Sequence, residues 1–140
     1  AYQYWKEAAP ATYNDKAELR TMEPYVFGQF IEGKDSPYAG RGHVHWLTGT
    51  ASTVMVGTVE GILGLRPESK GIVINPSIPS EWKEFTMDKQ FRGKRLYITV
   101  KNPNGSESGV KAVTVNGKQI EGLFILEDIL KDTNDIIIEM

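Results

Sequence analysis

The chain has 140 residues, with 16 Lys and Arg against 18 Asp and Glu and a formal net charge of -2. That length suits one domain or two small halves, and the charge leaves no basic footprint for nucleic acid. There is no cysteine, so neither a disulfide framework nor a thiolate metal site is available, which fits a cytoplasmic setting. Residues 1–20 lack the apolar core of a signal peptide. The longest apolar stretch, residues 54–65, is interrupted by Gly57, Thr58, Glu60, Gly61 and Gly64 and is too short for a bilayer.

In chain order, AYQYWKEAAP reads as the tail of a helix stopped near Pro10. Nothing precedes Ala1 to cap it, which predicts a piece of something longer. KAELRTM is a weak helical or loop stretch. EPYVFGQFIEG, residues 23–33, predicts a short helix, with Pro24 in its first turn and Gly33 at its C-terminal stop. KDSPYAGRGH is a loop of turn formers. A helix is then expected from about Leu47 to Leu65, with Ala51, Met55, Val59 and Ile62 or Leu63 on one face. Val54, Val56 and Leu65 widen that face, which predicts burial on most sides. Gly57 and Gly61 would let a neighbouring helix approach, and Arg66 and Pro67 end the element.

After Pro67 the period changes. GIVINPSIP, TMDKQFRGKRLYITVKN, VKAVTVNGKQI and DIIIEM read as strands, and RLYITV alternates across two faces. Asn116-Gly117 is a strong two-residue hairpin signal, and PNGSESG is a longer turn. These features predict an antiparallel β-sandwich or jelly roll of roughly five to seven strands. The joint between the halves falls at residues 66–71, so residues 1–66 and 67–140 are the expected divisions of an α+β chain.

The segment HWLTGTAS raises a chemical possibility. Helix N-termini expose N–H groups and the positive end of the macrodipole. Gly49 would let an anion approach the backbone, and Thr48 adds a hydroxyl, so the pair could seat phosphate or sulfate. The plain alternative is that Thr48 or Thr50 caps the helix. His43 and His45 alternate in the preceding loop beside Arg41, but two imidazoles without a third ligand are a weak metal signal. Glu23 is either a catalytic carboxylate or an acid at a helix start. Gln29, among Val26, Phe27, Phe30 and Ile31, faces a polar cavity or an exposed helix surface. Trp46, Tyr25 and Tyr38 suit either sugar stacking or a core. No nucleophile triad, P-loop or dinucleotide fingerprint is present.

EPYVFGQFIEGKDSPYAGRGHVHWLTGTAS, EGILGLRP, INPSIPSEWKEF, FRGKRLYITVKNP and VTVNGKQIEG, in that order, resemble the C-terminal end of the cellobiose phosphorylase family, the inverting phosphorylases of glycoside hydrolase family 94. The resemblance runs over nearly the whole chain. It implies that residues 1–66 are the last helices of an (α/α)6 catalytic barrel and that residues 67–140 are a C-terminal, jelly-roll-like β-sandwich. It places Thr48 and Gly49 at the phosphate site and Gln29 in the donor-sugar and phosphate pocket. It puts the general acid, an aspartate, upstream, so no catalytic residue is expected in this chain. No metal or organic cofactor is implied, since inorganic phosphate is a substrate. The implied partners are a disaccharide, phosphate and the remainder of the same enzyme, which would be a homodimer when complete. The GRGHVHW segment departs from the commonest pattern. That leaves cellobiose, cellobionic acid, laminaribiose and a chitobiose-like sugar open. A different class, a non-catalytic β-sandwich carbohydrate-binding or scaffolding module, would show aromatics on an exposed sheet face.

Overall fold

The computed structural model describes residues 1–140, and the chain divides into two compact units, Ala1–Thr58 and Val59–Met140. The division falls earlier than the change of period at residues 66–71. Backbone bonds tie the intervening residues to the second unit: Ser77 N–H donates to the Ile62 carbonyl and Asn75 N–H to that of Gly64, both at 2.9 Å.

The first unit is a string of short elements. Helix α1 spans Tyr2–Ala8 without a side-chain cap. Pro10, whose missing N–H costs nothing in a first turn, opens a 3-10 segment, Pro10–Lys16. Helix α2, Ala17–Arg20, closes on Thr21 in the left-handed region. The expected helix over 23–33 does not form. Instead β1, Gly28–Ile31, pairs antiparallel with β2, Gly42–His45, in the register Gly28↔His45, Phe30↔His43 and Ile31↔Gly42. Gly28 weakens a helix interior by about 1 kcal/mol, and the flanking Phe and Ile favour a strand. The buried Met22 side chain lies where a Cβ on Gly28 or Gly42 would stand, 2.8 and 2.0 Å away. Met22 therefore fills the space that two glycines leave in the hairpin.

The helix expected over 47–65 is shorter and differently placed. Helix α3 covers Thr50–Val56 and runs into a π turn, Gly57–Ile62. It buries no residue: Met55 is 64% exposed and Val56 52%. No atom lies within 4 Å of a Cβ built on Gly57 or Gly61, so the expected close helix neighbour is not in this chain.

Beyond the end of that π turn and one 3-10 turn, the second unit's regular structure is all strand. Strands β3 (Leu65–Glu68), β4 (Gly71–Ile74) and β9 (Phe124–Leu126) form one sheet in the order β3-β4-β9. Arg66 and Pro67, expected to end a helix, lie in β3, an edge strand where a missing N–H is tolerated. A second sheet holds β5 (Glu84–Phe91), β6 (Lys94–Lys101), β7 (Ala112–Val115), β8 (Lys118–Ile120) and β10 (Thr133–Glu139), in the order β5-β6-β10-β7-β8. The expectation of a wholly antiparallel half needs correction. Strand β10 enters between β6 and β7 and runs parallel to β6, from Thr133↔Arg95 to Glu139↔Lys101.

Local turn chemistry sets the hairpins. Arg92-Gly93 and Asn116-Gly117 both have two positive φ values, 49° and 79° and 51° and 80°, the signature of a type I′ turn between twisted strands. In β6, Leu96, Ile98 and Val100 are buried while Tyr97 is exposed, the alternation of a half-covered sheet. With Ile72, Ile74, Ile125, Ile136, Ile138 and Met140 they form a core nearly free of solvent. Two buried amides hold the loops. The Asn102 Nδ2 donates to the Trp82 and Ser106 carbonyls, and its Oδ1 accepts from Ser106 N–H. The Asn134 Oδ1 accepts from Asn116 Nδ2 and Lys131 N–H, and its Nδ2 donates to the Lys131 and Arg95 carbonyls. No helix is long and apolar enough to cross a membrane.

Candidate functional site

The residues singled out by chemistry gather on the β1–β2 hairpin and the start of α3, elements that adjoin one another. Glu23 is the hub. Its Oε2 lies 2.6 Å from His45 Nδ1, and its Oε1 accepts the Trp46 indole N–H at 3.0 Å. The indole bond, then backbone hydrogen bonding and the His45 ring, hold the carboxyl well below its usual range, at about 2. Glu23 is thus an ionised anchor and not a proton donor near neutral pH. The Tyr25 ring meets Trp46 edge-on at 6.2 Å, and both rings are exposed.

The second histidine has its own acid. His43 Nε2 lies 2.9 Å from Glu32 Oε1, and its ring stacks on Phe30 at 4.7 Å. Each imidazole is therefore engaged separately, and no cluster of three or more His, Cys, Asp or Glu stands where it could hold a metal ion. The Arg41 guanidinium lies over the Tyr38 ring at 5.7 Å.

The backbone that carries these groups is strained. Val44 and Trp46 have φ of 51° and 67°, a region costly for a side chain and most of all for a β-branched one. Leu47 N–H reaches back to the His45 carbonyl at 2.8 Å, and this tight turn delivers the chain to Thr48. Strain of that kind persists only where neighbours enforce it. Glu23, gripping His45 and Trp46 together, supplies the enforcement.

At the start of α3 the Thr48 Oγ1 accepts the Thr50 N–H at 3.1 Å and donates to the Thr50 Oγ1 at 3.0 Å. The Gly49 carbonyl takes the Thr53 N–H at 3.0 Å and the Ser52 hydroxyl at 2.9 Å. A Cβ on Gly49 would meet nothing within 4 Å, so the space beside this backbone is open. Gln29 lies on exposed β1, and not within a helix. Sequence reasoning treated Glu23 and the histidines one by one. The pairing was not readable because Glu23 and His45 are 22 positions apart and meet only once β1 and β2 pair.

Residues 1–64 match the family described as the Glycosyl hydrolase 94 superfamily, catalytic domain. The chain belongs to that superfamily. It is 36% identical over 123 residues to an N,N'-diacetylchitobiose phosphorylase of Vibrio furnissii, covering 88% of this chain and 15% of the relative. It is 31% identical over 122 residues to a solabiose phosphorylase of Paenibacillus borealis, covering 87% and 16%. A cellobionic acid phosphorylase of Neurospora crassa is 36% identical over 124 residues, covering 86% and 15%. The chain therefore spans about 15% of the length of these three relatives.

Proposed function

We propose that this chain is the C-terminal segment of an inverting disaccharide phosphorylase that cleaves a β-linked glucosyl disaccharide with inorganic phosphate to give α-glucose 1-phosphate. The observation that carries this reading is that relatives named as disaccharide phosphorylases match over most of the chain, including the residues beyond the family match at 1–64. In this reading residues 1–66 complete an (α/α)6 catalytic barrel and residues 67–140 form a C-terminal sandwich. The complete enzyme works in the cytoplasm as a homodimer.

The reaction is a single displacement. A phosphate oxygen attacks the anomeric carbon opposite the leaving group. The bond from that carbon to the acceptor oxygen breaks, and an upstream carboxylic acid gives that oxygen its proton. Inverting hydrolysis needs a second carboxylate to activate water, whereas phosphate arrives already anionic and requires only placement. Thr48, Gly49 and Gln29 supply part of that placement. The Thr48 oxygen accepts the Thr50 N–H just before the Gly49 N-cap and would still do so while its proton turned from Thr50 Oγ1 to a phosphate oxygen, so that bond and donation are compatible in one hydroxyl. Gly49 leaves its backbone open to the anion. No organic cofactor or metal is needed for these steps.

The test is Thr48→Val in the complete enzyme. Loss of one preorganised donor lowers turnover about 10²- to 10³-fold, whereas loss of a cap alone costs about 1 kcal/mol of stability. Gly49→Ala raises the phosphate KM more than the sugar KM. Normal phosphate kinetics in both variants with a lowered melting point in Thr48→Val would return these residues to capping. The 140-residue chain by itself, lacking the general acid, releases no glucose 1-phosphate from cellobiose and phosphate.

A further inference from the structure

Gln29 and Thr48 belong to different segments, and the end of β2 sets one against the other. Gly28, next to Gln29, pairs with His45, and from His45 the chain runs through Trp46 and Leu47 to Thr48. Helix α3 does little to hold that point. It buries no residue, has no acid in its first turn, and its Gly49 cap makes no side-chain bond. The Thr48 hydroxyl bonds forward, to Thr50, and Leu47 is exposed.

Both side-chain hydrogen bonds that tie residues 45–48 to a distant part of the chain end on Glu23. An ionised carboxylate can only accept, so His45 Nδ1 and the Trp46 indole both donate to it, one to each oxygen. Two successive side chains are thereby fixed by one group. Leu47 N–H is bonded back to the His45 carbonyl, so few torsions stay free between the clasp and Thr48, and little ordering is left for a ligand to impose. Glu23 is itself rooted. Met22 before it and Val26 after it are buried, and its carbonyl accepts the Val26 N–H at 3.2 Å. Buried Arg20 donates to the Val26 carbonyl at 3.2 Å and to that of Pro10 at 3.0 Å, which pins this segment to the 3-10 turn. Such an anchor can keep Val44 and Trp46 at positive φ, a conformation that relaxes once its neighbours let go.

We propose that Glu23 is a positioning residue: by clasping His45 and Trp46 it fixes Thr48 and Gly49 against Gln29, and so sets the affinity for inorganic phosphate without touching the anion. This rests on the reading of those three residues as phosphate-placing groups. The hairpin supplies its own contrast. Glu32 pairs with His43 at 2.9 Å, but His43 stands opposite Phe30, one step further from Thr48 on the same face of β2.

The experiment titrates the complete enzyme and its variants with inorganic phosphate by calorimetry, each beside its melting temperature. Glu23→Ala should weaken phosphate binding about 10-fold, through loss of two charge-assisted bonds to the turn. Glu23→Gln should restore it to within about 2-fold, because an amide oxygen still accepts the indole N–H and the amide nitrogen can donate to a neutral imidazole. Glu32→Ala, whatever it costs in melting temperature, should leave phosphate binding unchanged. Gly49→Ala, at the seat itself, weakens binding whether or not Glu23 acts. Normal phosphate binding in Glu23→Ala with weakened binding in Gly49→Ala overturns the role of Glu23 and leaves the phosphate seat standing. Normal binding in both overturns the seat and the role together. Equal weakening by Glu23→Ala and Glu32→Ala, or no recovery in Glu23→Gln, reduces Glu23 to general support of the hairpin and overturns the proposal. If Glu23→Ala unfolds, Trp46→Phe decides: it keeps a ring and removes the indole donor, and binding about 3-fold weaker than in Glu32→Ala is expected, whereas equal binding in the two overturns the role.

Discussion

Proline aside, residues 59–140 bury sixteen apolar side chains, and residues 1–58 bury Ala9, Met22 and Val26. Exposure runs the other way: eleven large apolar side chains are exposed in the first unit, including Leu47 at 88% and Tyr4 at 79%, against four in the second. Polar groups divide similarly. The buried Asn102 and Asn134 of the second unit use their amides fully, while the first unit holds two buried N–H groups without partners, Trp5 Nε1 and Arg20 Nε. The difference teaches that the β unit is organised by its own contacts. The first unit carries apolar surface of the kind that marks interaction faces.

The largest effects should separate the two units. Ile136→Ala removes a fully buried side chain and should cost about 2–5 kcal/mol in urea unfolding. Leu47→Ala should stay within about 0.5 kcal/mol. Equal losses would break the comparison. Next comes Asn134→Ala, which strands the Lys131 N–H and the Arg95 carbonyl and should cost about 1–3 kcal/mol. Gln29→Ala, on an exposed strand, should leave the melting point unchanged.

The glycines sharpen the contrast further. A Cβ on Gly71 would stand 2.1 Å from the Ile125 carbonyl oxygen, across the β4–β9 pairing. Gly71→Ala should therefore destabilise by more than about 1 kcal/mol. Gly49→Ala meets open space with a helical φ of -67° and should be neutral or stabilising by about 0.4–1 kcal/mol in thermal melts.

The smallest effect belongs to Glu23 and to pH. Its carboxyl is held at about 2 against an ordinary 4.5, so its stabilisation is complete above about 4.5 and is lost as pH falls through about 2. Trp46 fluorescence should report loosening of the hairpin across that window. Glu23→Gln should remove the pH dependence, and an unchanged acid profile in that variant would sink the assignment.

How far the chain was legible tracks how local each feature is. The β7–β8 hairpin was readable because Asn116-Gly117 sits between β-prone runs, and the alternation of RLYITV announced which side chains of β6 face inward. The short helix ending before Pro10 was readable for the same reason. The motif blocks around WLTG named the family. Thr48, Gly49 and Gln29 are expectations of the resemblance alone, and the Glu23 clasp on His45 and Trp46 was not legible from the residue types.

Sequence by itself determined the α+β class, the hairpin turns of the second unit and the family, because each rests on contacts within a few residues or on ordered motifs. Tertiary structure alone decided that residues 28–31 are a strand, since their partner lies at 42–45 and Met22 fills the space between two glycines. It alone brought the three-residue β9 onto β4 and threaded β10 parallel beside β6. Such pairings are fixed by partners dozens of residues away, and a short strand gains its hydrogen bonds and burial only when those partners are in place.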